Sequence, residues 1–270
     1  DRYQNFSDLM TGLFKAVQDI KSIFRATQAH IAPVIFLRDD IYDALEDPDK
    51  TKWDDSKIEL DWSVARLKDL LAFRITRTQA PDAQRIIPFE QAWQLVFGDT
   101  QISYGGRRQS KRQSVLDYVL RSTHMRPRDV TRYLVECSRR ALEAGAPLDE
   151  RLIKQADSDF SAYFKREIQD EIGGVVPHAA KLFDVLSSLR KSSFRFAEFE
   201  ATYLGTVQPD LAQRYDPVWV LKVLFFFSVI GNQPRQVNQT VFRYLRRGAP
   251  PNFGEPFVVH RGLLKALQIL

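Results

Sequence analysis

Cysteine is nearly absent from this 270-residue sequence, where Cys137 stands alone. One thiol cannot close an internal disulfide, and it cannot build a zinc site. Histidine is scarce too, and His30, His124, His178 and His260 are scattered with no ligand spacing among them. No apolar run reaches the ~18 residues of a membrane span, so no membrane partner is expected. The opening residues, DRYQNFSDLM, do not read as a secretory signal and do not begin with methionine. The expectation is a cytoplasmic protein and a fragment of a longer one.

What is present is ordinary globular material. Hydrophobic residues make up 44% and charged residues 27%, so the chain can bury a sizeable core as two or three units. The net charge of +5 permits nucleic-acid or acidic partners without demanding them.

Helical periodicity dominates. Leu9, Leu13, Val17, Ile20 and Phe24 form one stripe over residues 6 to 27. The short run Val34-Ile35-Phe36-Leu37 predicts a buried strand, followed by a capped helix over Ile41 to Leu45. A second stripe, Trp62, Leu67, Leu70, Leu71 and Ile75, predicts a helix capped by Asp61 or Ser63. TRTQAPDAQRIIP reads as a connector, FEQAWQLVFG as a short helix closed by Gly98, and DTQISYGGRRQSKRQ as a flexible basic loop. SVLDYVLRST is another helix. The next helix is long, with Asp129 as its cap, Val130, Leu134, Cys137 and Leu142 facing inward, and Gly145 with Pro147 ending it. An amphipathic helix then runs to Gly173-Gly174.

Beyond that point the order is helix, short strand FRF, helix, and a third helix with Asp216 as cap and Pro217 first. Two strand-like runs around a Gly/Pro loop and a closing helix complete it, which is the order of a winged helix. The FFFSV segment within the third helix reads equally as a core strand.

Residues 38 to 40, Arg-Asp-Asp, break the apolar run abruptly. They read either as a local Arg–Asp pair at a helix start or as a phosphate site at a strand tip. Guanidinium groups hold phosphate oxygens in a bidentate fork, and a strand tip or a helix N-terminus is a rigid mount for one. Arg38 fits the first mount, and Arg126 and Arg128, flanking Pro127, fit the second.

The block VIFLRDDIYDALEDPDKTKWDDSKIELDW…LLAFRI, followed by MRPRD at the head of a helix, resembles the later part of STAND-type P-loop ATPases. These are AAA+-related signalling ATPases of bacterial anti-phage defence. The resemblance implies that Arg38 senses the nucleotide's phosphates, that Arg126 or Arg128 does so from a helical lid, and that a winged helix closes over the nucleotide, where His260 approaches it. Asp39, Asp40 and Asp129 are supporting caps or arginine partners. No G-x-x-x-x-G-K-[S/T] motif occurs, because GGRRQSKR has the wrong spacing, and no Walker B strand precedes Asp1. ATP or ADP with Mg2+ is therefore expected only when a missing upstream phosphate-loop segment or a partner chain is present. This chain alone is not expected to hydrolyse ATP.

The expected fold is mainly α, with a remnant strand of an ATPase core, a helical lid and a C-terminal winged helix. Residues 1–80 would be the tail of the core, 81–150 the lid, 151–174 a linker helix and 175–270 the winged helix. The expected function is coupling of ATP/ADP state to conformational switching, in a homo-oligomer or with a partner chain. The alternatives are a DNA-binding winged-helix protein with a helical dimerisation region, and a structural adaptor. Arg107, Arg108, Lys111 and Arg112 in the basic loop, and Arg243, Arg246 and Arg247 near the wing, are the candidates for nucleic-acid contact.

Overall fold

A computed structural model describes residues 2–27, 30–37, 42, 45, 47–104, 111–174, 176, 179–234 and 240–269. The protein is mainly helical, with a few short antiparallel strands. Two compact units are present, Asp1–Asp61 and Trp62–Leu270. Among the described residues, no helix is long and apolar enough to cross a membrane.

The first unit holds helix α1 (Arg2–Ala26) and the short α2 (Lys50–Asp54), which forms within the charged stretch EDPDKTKWDDSK. Its core is small. Tyr42, Leu45 and Trp53 are buried, with Met10, Phe14 and Leu37 packed on them, and Phe14 stacks on Trp53 at 4.8 Å. Leu9, Leu13 and Ile20 of the α1 stripe stay exposed, as does Ile23 beside it. The expected strand at Val34–Leu37 has no ladder partner among the described residues. Val34 and Phe36 are exposed, at 71% and 86%, whereas Leu37 packs inward. An alternation of that kind is what a strand shows, but a strand also needs a neighbour to receive its backbone hydrogen bonds. The helix expected over Ile41 to Leu45 lies largely outside the described residues.

The second unit is built on one continuous core running from Leu67 to Ile269. Helix α3 (Val64–Gln79) begins at Ser63, whose hydroxyl accepts the Arg66 N–H, and buries Leu67, Leu71, Ala72 and Thr76. It runs through part of the expected connector. Helix α4 (Phe89–Phe97) packs against it and ends at Gly98.

The two ends of the expected basic loop pair as a hairpin, while residues 105–110 lie outside the described residues. Strand β1 (Gln101–Tyr104) pairs antiparallel with β2 (Lys111–Ser114), Ile102 opposite Gln113 and Tyr104 opposite Lys111. Ile102 is fully buried, and Glu150 accepts the Ser103 N–H and hydroxyl at 3.0 and 3.2 Å. Those tertiary anchors make strands of a sequence with little apolar alternation. Ser114 then caps α5 (Val115–Leu120).

Helices α6 (Pro127–Ala144) and α7 (Glu150–Gly173) pack along each other. Gly145, at φ +59°, closes α6 in the left-handed conformation that glycine adopts without a Cβ penalty. Val130 and Cys137 face inward as expected, but Leu142 is 83% exposed. Leu142 lies off the buried face, which Val130, Tyr133, Glu136 and Cys137 share.

The C-terminal part contains α8 (Ala179–Leu189), β3 (Ser193–Phe194), α9 (Phe196–Thr206), α10 (Pro209–Arg214) and α11 (Pro217–Phe226). Strands β4 (Ile230–Asn232) and β5 (Phe257–Val259) follow, and the sheet order is β3-β5-β4, antiparallel throughout. Asp216 caps α11 at the Trp219 N–H, as the sequence predicts. Of the FFFSV segment, Phe225 and Phe226 end α11 and the strand begins later, at Ile230. The QTVF run supplies only a bridge, Val241 to Asn232. The closing element is a 3-10 turn over Arg261–Leu263 rather than a helix.

Candidate functional site

The site is the turn between α5 and α6, Thr123-His124-Met125-Arg126-Pro127-Arg128-Asp129. Pro127 sets its frame. Its ring supplies the backbone angle that a first helical position needs, at the one place where a missing N–H costs nothing. Arg126 is thereby the N-cap, in extended conformation, and Arg128 and Asp129 fall in the first turn. Asp129 is not the cap that the sequence implied. Met125, just before the cap, has φ +55°, a conformation that costs a non-glycine residue about 1 kcal/mol.

Both arginines project toward α7. Arg126 is bidentate on Glu171, Nη1 to Oε1 at 2.5 Å and Nη2 to Oε2 at 3.3 Å. Arg128 Nη2 meets Glu167 Oε2 at 2.5 Å and lies 3.8 Å from Glu171 Oε1. The Arg126 and Arg128 side chains are 43% and 57% exposed, so an anion arriving from solvent reaches them without opening the core. Two cations at a helix N-terminus oppose the helix dipole, and the two glutamates offset that. A turn further on, Arg132 pairs with Glu136 at 2.6 Å and stacks on the Tyr163 ring.

Beneath the arginines lies Asp129, 1% exposed. Neither carboxylate oxygen has a hydrogen-bond partner. Arg128 Nε is 4.0 Å away, and the His124 amide favours the charged form without closing a hydrogen bond. Burial dominates and pushes the Asp129 carboxyl up to about 6, against the pull of Arg126 and Arg128.

His124 leads into an aromatic cluster that sequence reasoning missed. Its ring lies 4.9 Å from His260 and from Tyr244, and 4.7 Å from Phe164. His124 Nε2 donates to the Ser228 carbonyl at 3.2 Å. His260 Nδ1 accepts the Gly262 N–H, so its own proton sits on Nε2, which is buried without a partner. Desolvation drives both imidazoles toward the neutral form. It is the leading cause of the low His124 value and takes His260 to about 3. Buried at 1% exposure, His260 does not reach solvent or an incoming phosphate in this conformation.

Beside this cluster is a cavity of about 90 Å³ lined by Ser122, Asp157, Ser161, Arg261 and Lys265 among others. It is far smaller than the several hundred Å³ of a site that encloses a nucleotide.

The remaining candidates divide clearly. Arg38, Asp39 and Asp40 lie outside the described residues, as do Arg107 and Arg108. Lys111 and Arg112 stand exposed on β2. Arg243 packs over the Phe226 ring at 4.2 Å, while Arg246 and Arg247 are exposed beyond it. Among the described residues no group of three or more histidine, cysteine, aspartate or glutamate side chains is placed to hold a metal. Glu167 and Glu171 were the unforeseen partners. Their four-residue spacing, one helical turn, was the available signal.

Residues 65–169 match a family model described as the FunZ-associated C-terminal helical domain. The match runs from α3 into α7 and includes Arg126, Arg128, Asp129 and Glu167, while Glu171 lies just past it. No curated protein and no solved structure matches the chain.

Proposed function

We propose that this chain is the regulatory lid and winged-helix portion of a STAND-type ATPase, coupling ATP/ADP state to a conformational switch of the kind used in antiviral defence. The observation that carries the reading is the mounting of Arg126 and Arg128. They are solvent-accessible guanidiniums at the head of an 18-residue helix, held by carboxylates that a phosphate can replace. The phosphate-binding loop, and with it ATP or ADP and Mg2+, is contributed by a segment or partner chain outside this sequence.

The switch is an exchange of partners. With triphosphate bound, Arg126 and Arg128 leave Glu171 and Glu167 for phosphate oxygens, and α6 moves relative to α7. With the terminal phosphate gone, the glutamates recover them. The shift is limited by the difference between the two sets of contacts. The sheet order β3-β5-β4 around α9 and α11 supports reading the C-terminal part as a winged helix. The match to a domain described as helical and C-terminal is consistent with an accessory role for residues 65–169.

The DNA-reading alternative is weaker on one observation. Within α11, the helix that would enter a groove, only Val218 and Lys222 are exposed. A recognition helix needs several polar side chains on its outer face.

The test uses the parent protein with its phosphate-binding segment. Arg126→Ala/Arg128→Ala and, separately, Arg38→Ala are compared with wild type for ATP binding and for nucleotide-dependent protection from proteolysis. Retained folding with loss of the ATP/ADP difference is expected. Wild-type switching in both variants removes the assigned role.

A further inference from the structure

We propose that the β1–β2 hairpin is a nucleic-acid-binding arm that grips the sugar–phosphate backbone of a duplex through Lys111, Arg112 and Arg121, with Tyr104 alongside. The inference goes beyond the nucleotide switch and does not depend on it.

Charge distribution is the first reason. No acidic residue occurs between Asp99 and Asp117, and the sequence between them carries Arg107, Arg108, Lys111 and Arg112. Along α6 and its N-cap, by contrast, cations are neutralised in place. Arg126, Arg128, Arg132, Arg139 and Arg140 on α6 each meet a glutamate or aspartate. Among the described residues, Lys111 and Arg112 meet none, although both are exposed. The α6 arginines spend their charge on carboxylates of the chain itself, whereas Lys111 and Arg112 keep theirs for an outside anion.

Geometry is the second. The base of the hairpin is fixed by buried Ile102, by Ser103 on Glu150, and by Arg121 Nη1 on Gln113 Oε1 at 3.1 Å. The arm is thus held while Tyr104, Lys111 and Arg112 stay exposed. Cross-strand partners share a face, so Tyr104 and Lys111 lie on one side and Ser103 and Arg112 on the other. The Arg121 guanidinium sits 5.7 Å over the Tyr104 ring, adding a cation to the first side. Cations on both faces of a two-stranded ribbon match a groove, which has phosphates on both walls and admits such a ribbon.

Composition separates this partner from the other large anions. From Gly105 to Ser114 there is no apolar side chain, so the arm has nothing to insert into a lipid surface. An acidic peptide would need a groove or pocket with apolar anchors beside the charges, and the ribbon's outer half offers only Tyr104.

The experiment measures anisotropy of a labelled mixed-sequence duplex with the 270-residue chain across salt concentration, using double-stranded DNA and double-stranded RNA in parallel. Wild type is expected to bind at low salt, with log K falling linearly against log salt. Lys111→Gln/Arg112→Gln removes two contacts, so its slope should be shallower by about 1.8, with an unchanged melting temperature. Arg121→Gln, which lies outside the strands, should remove about 0.9. The proposal is overturned by no duplex binding at about 50 mM salt, by a double variant with the wild-type slope, or by loss of slope only in Arg246→Gln/Arg247→Gln. Anionic phosphatidylserine vesicles serve as the competing surface, and vesicle binding that depends on Lys111 and Arg112 without duplex binding also defeats it.

Discussion

Replacing Asp129 with asparagine is expected to make this protein more stable at neutral pH. The carboxyl is buried and unpartnered, and it titrates near 6 in the folded state against an ordinary value of 3.8. The sign follows from the direction of the shift. A carboxyl raised on folding favours the folded state when protonated, so its penalty is absent below about pH 4, grows between 4 and 6, and is complete above 6. At 1.36 kcal/mol per pH unit the full penalty is about 3 kcal/mol. Asparagine matches the shape and carries no charge, but its amide brings donors to a place with no acceptor, which costs about 1 kcal/mol. The variant should therefore exceed wild type by about 2 kcal/mol at pH 7 and fall below it by about 1 kcal/mol at pH 4. Urea denaturation of both proteins at pH 4, 5 and 7, with matched m-values, reads this difference directly. A difference that does not change with pH would mean that Asp129 is solvated or paired, and the reasoning would fail.

Two further outcomes are expected. Gly262→Ala should lower the melting temperature sharply, by about 3 kcal/mol or more in stability, because a Cβ there would lie 2.1 Å from the Ser122 carbonyl and 3.0 Å from the Phe164 ring; an unchanged melting temperature in calorimetry would show that the 3-10 turn does not seat against α5. Acid should destabilise the His124–His260 cluster, since both values are lowered on folding and the neutral forms are favoured. That stability is whole above about pH 6.5 and drains as pH falls toward 3, with His260 alone losing about 2 kcal/mol by pH 5. Measured in the Asp129→Asn background, where the opposing carboxyl is gone, a flat melting temperature between pH 7 and 5 would contradict it.

Legibility in the sequence followed locality. Ser63 and Asp216 as caps, Gly98 and Gly145 as stops, and the helices under the α1 and α3 stripes are encoded within a few residues, and the structure has those elements where expected, although Leu9, Leu13 and Ile20 of the α1 stripe stay exposed. Asp129 was misplaced by three positions because Pro127, not the nearest acid, sets the helix start. The hairpin was hidden because QISY and KRQS offer one inward apolar residue, Ile102, and depend on Glu150, some 47 residues away. The pairing of His124 with His260, and of Arg126 with Glu171, is tertiary in the same sense. The site's residue types were legible, but the carboxylates holding the arginines were not.

Local disagreement gathers most densely at one turn, although Arg190, Ser228 and Gln268 also sit at positive φ and His260 Nε2 is buried without a partner. Most of the second unit has capped helices and an apolar core. The α5–α6 turn adds conflicts of its own. Met125 sits at positive φ, two arginines crowd a helix N-terminus whose dipole repels them, and a carboxylate lies buried below without a donor. The positive φ and the buried carboxylate each cost on the order of 1 kcal/mol or more, the arginines stay in place through Glu167 and Glu171, and all three features fall within five residues. Accumulated frustration at a single turn is what a two-state element requires, because a small change in partners then moves it. An anion on Arg126 and Arg128 would satisfy the guanidiniums and free Glu167 and Glu171. Asp129 links that exchange to proton concentration, because its protonation near pH 6 removes the negative charge lying under the arginines. Below pH 6 the pair should therefore hold a phosphate more tightly than the glutamates alone predict. Asp129→Asn should reproduce that gain at neutral pH while improving stability. A variant that gained stability but bound nucleotide no more tightly in the parent protein would separate the two roles and leave Asp129 as a structural cost alone.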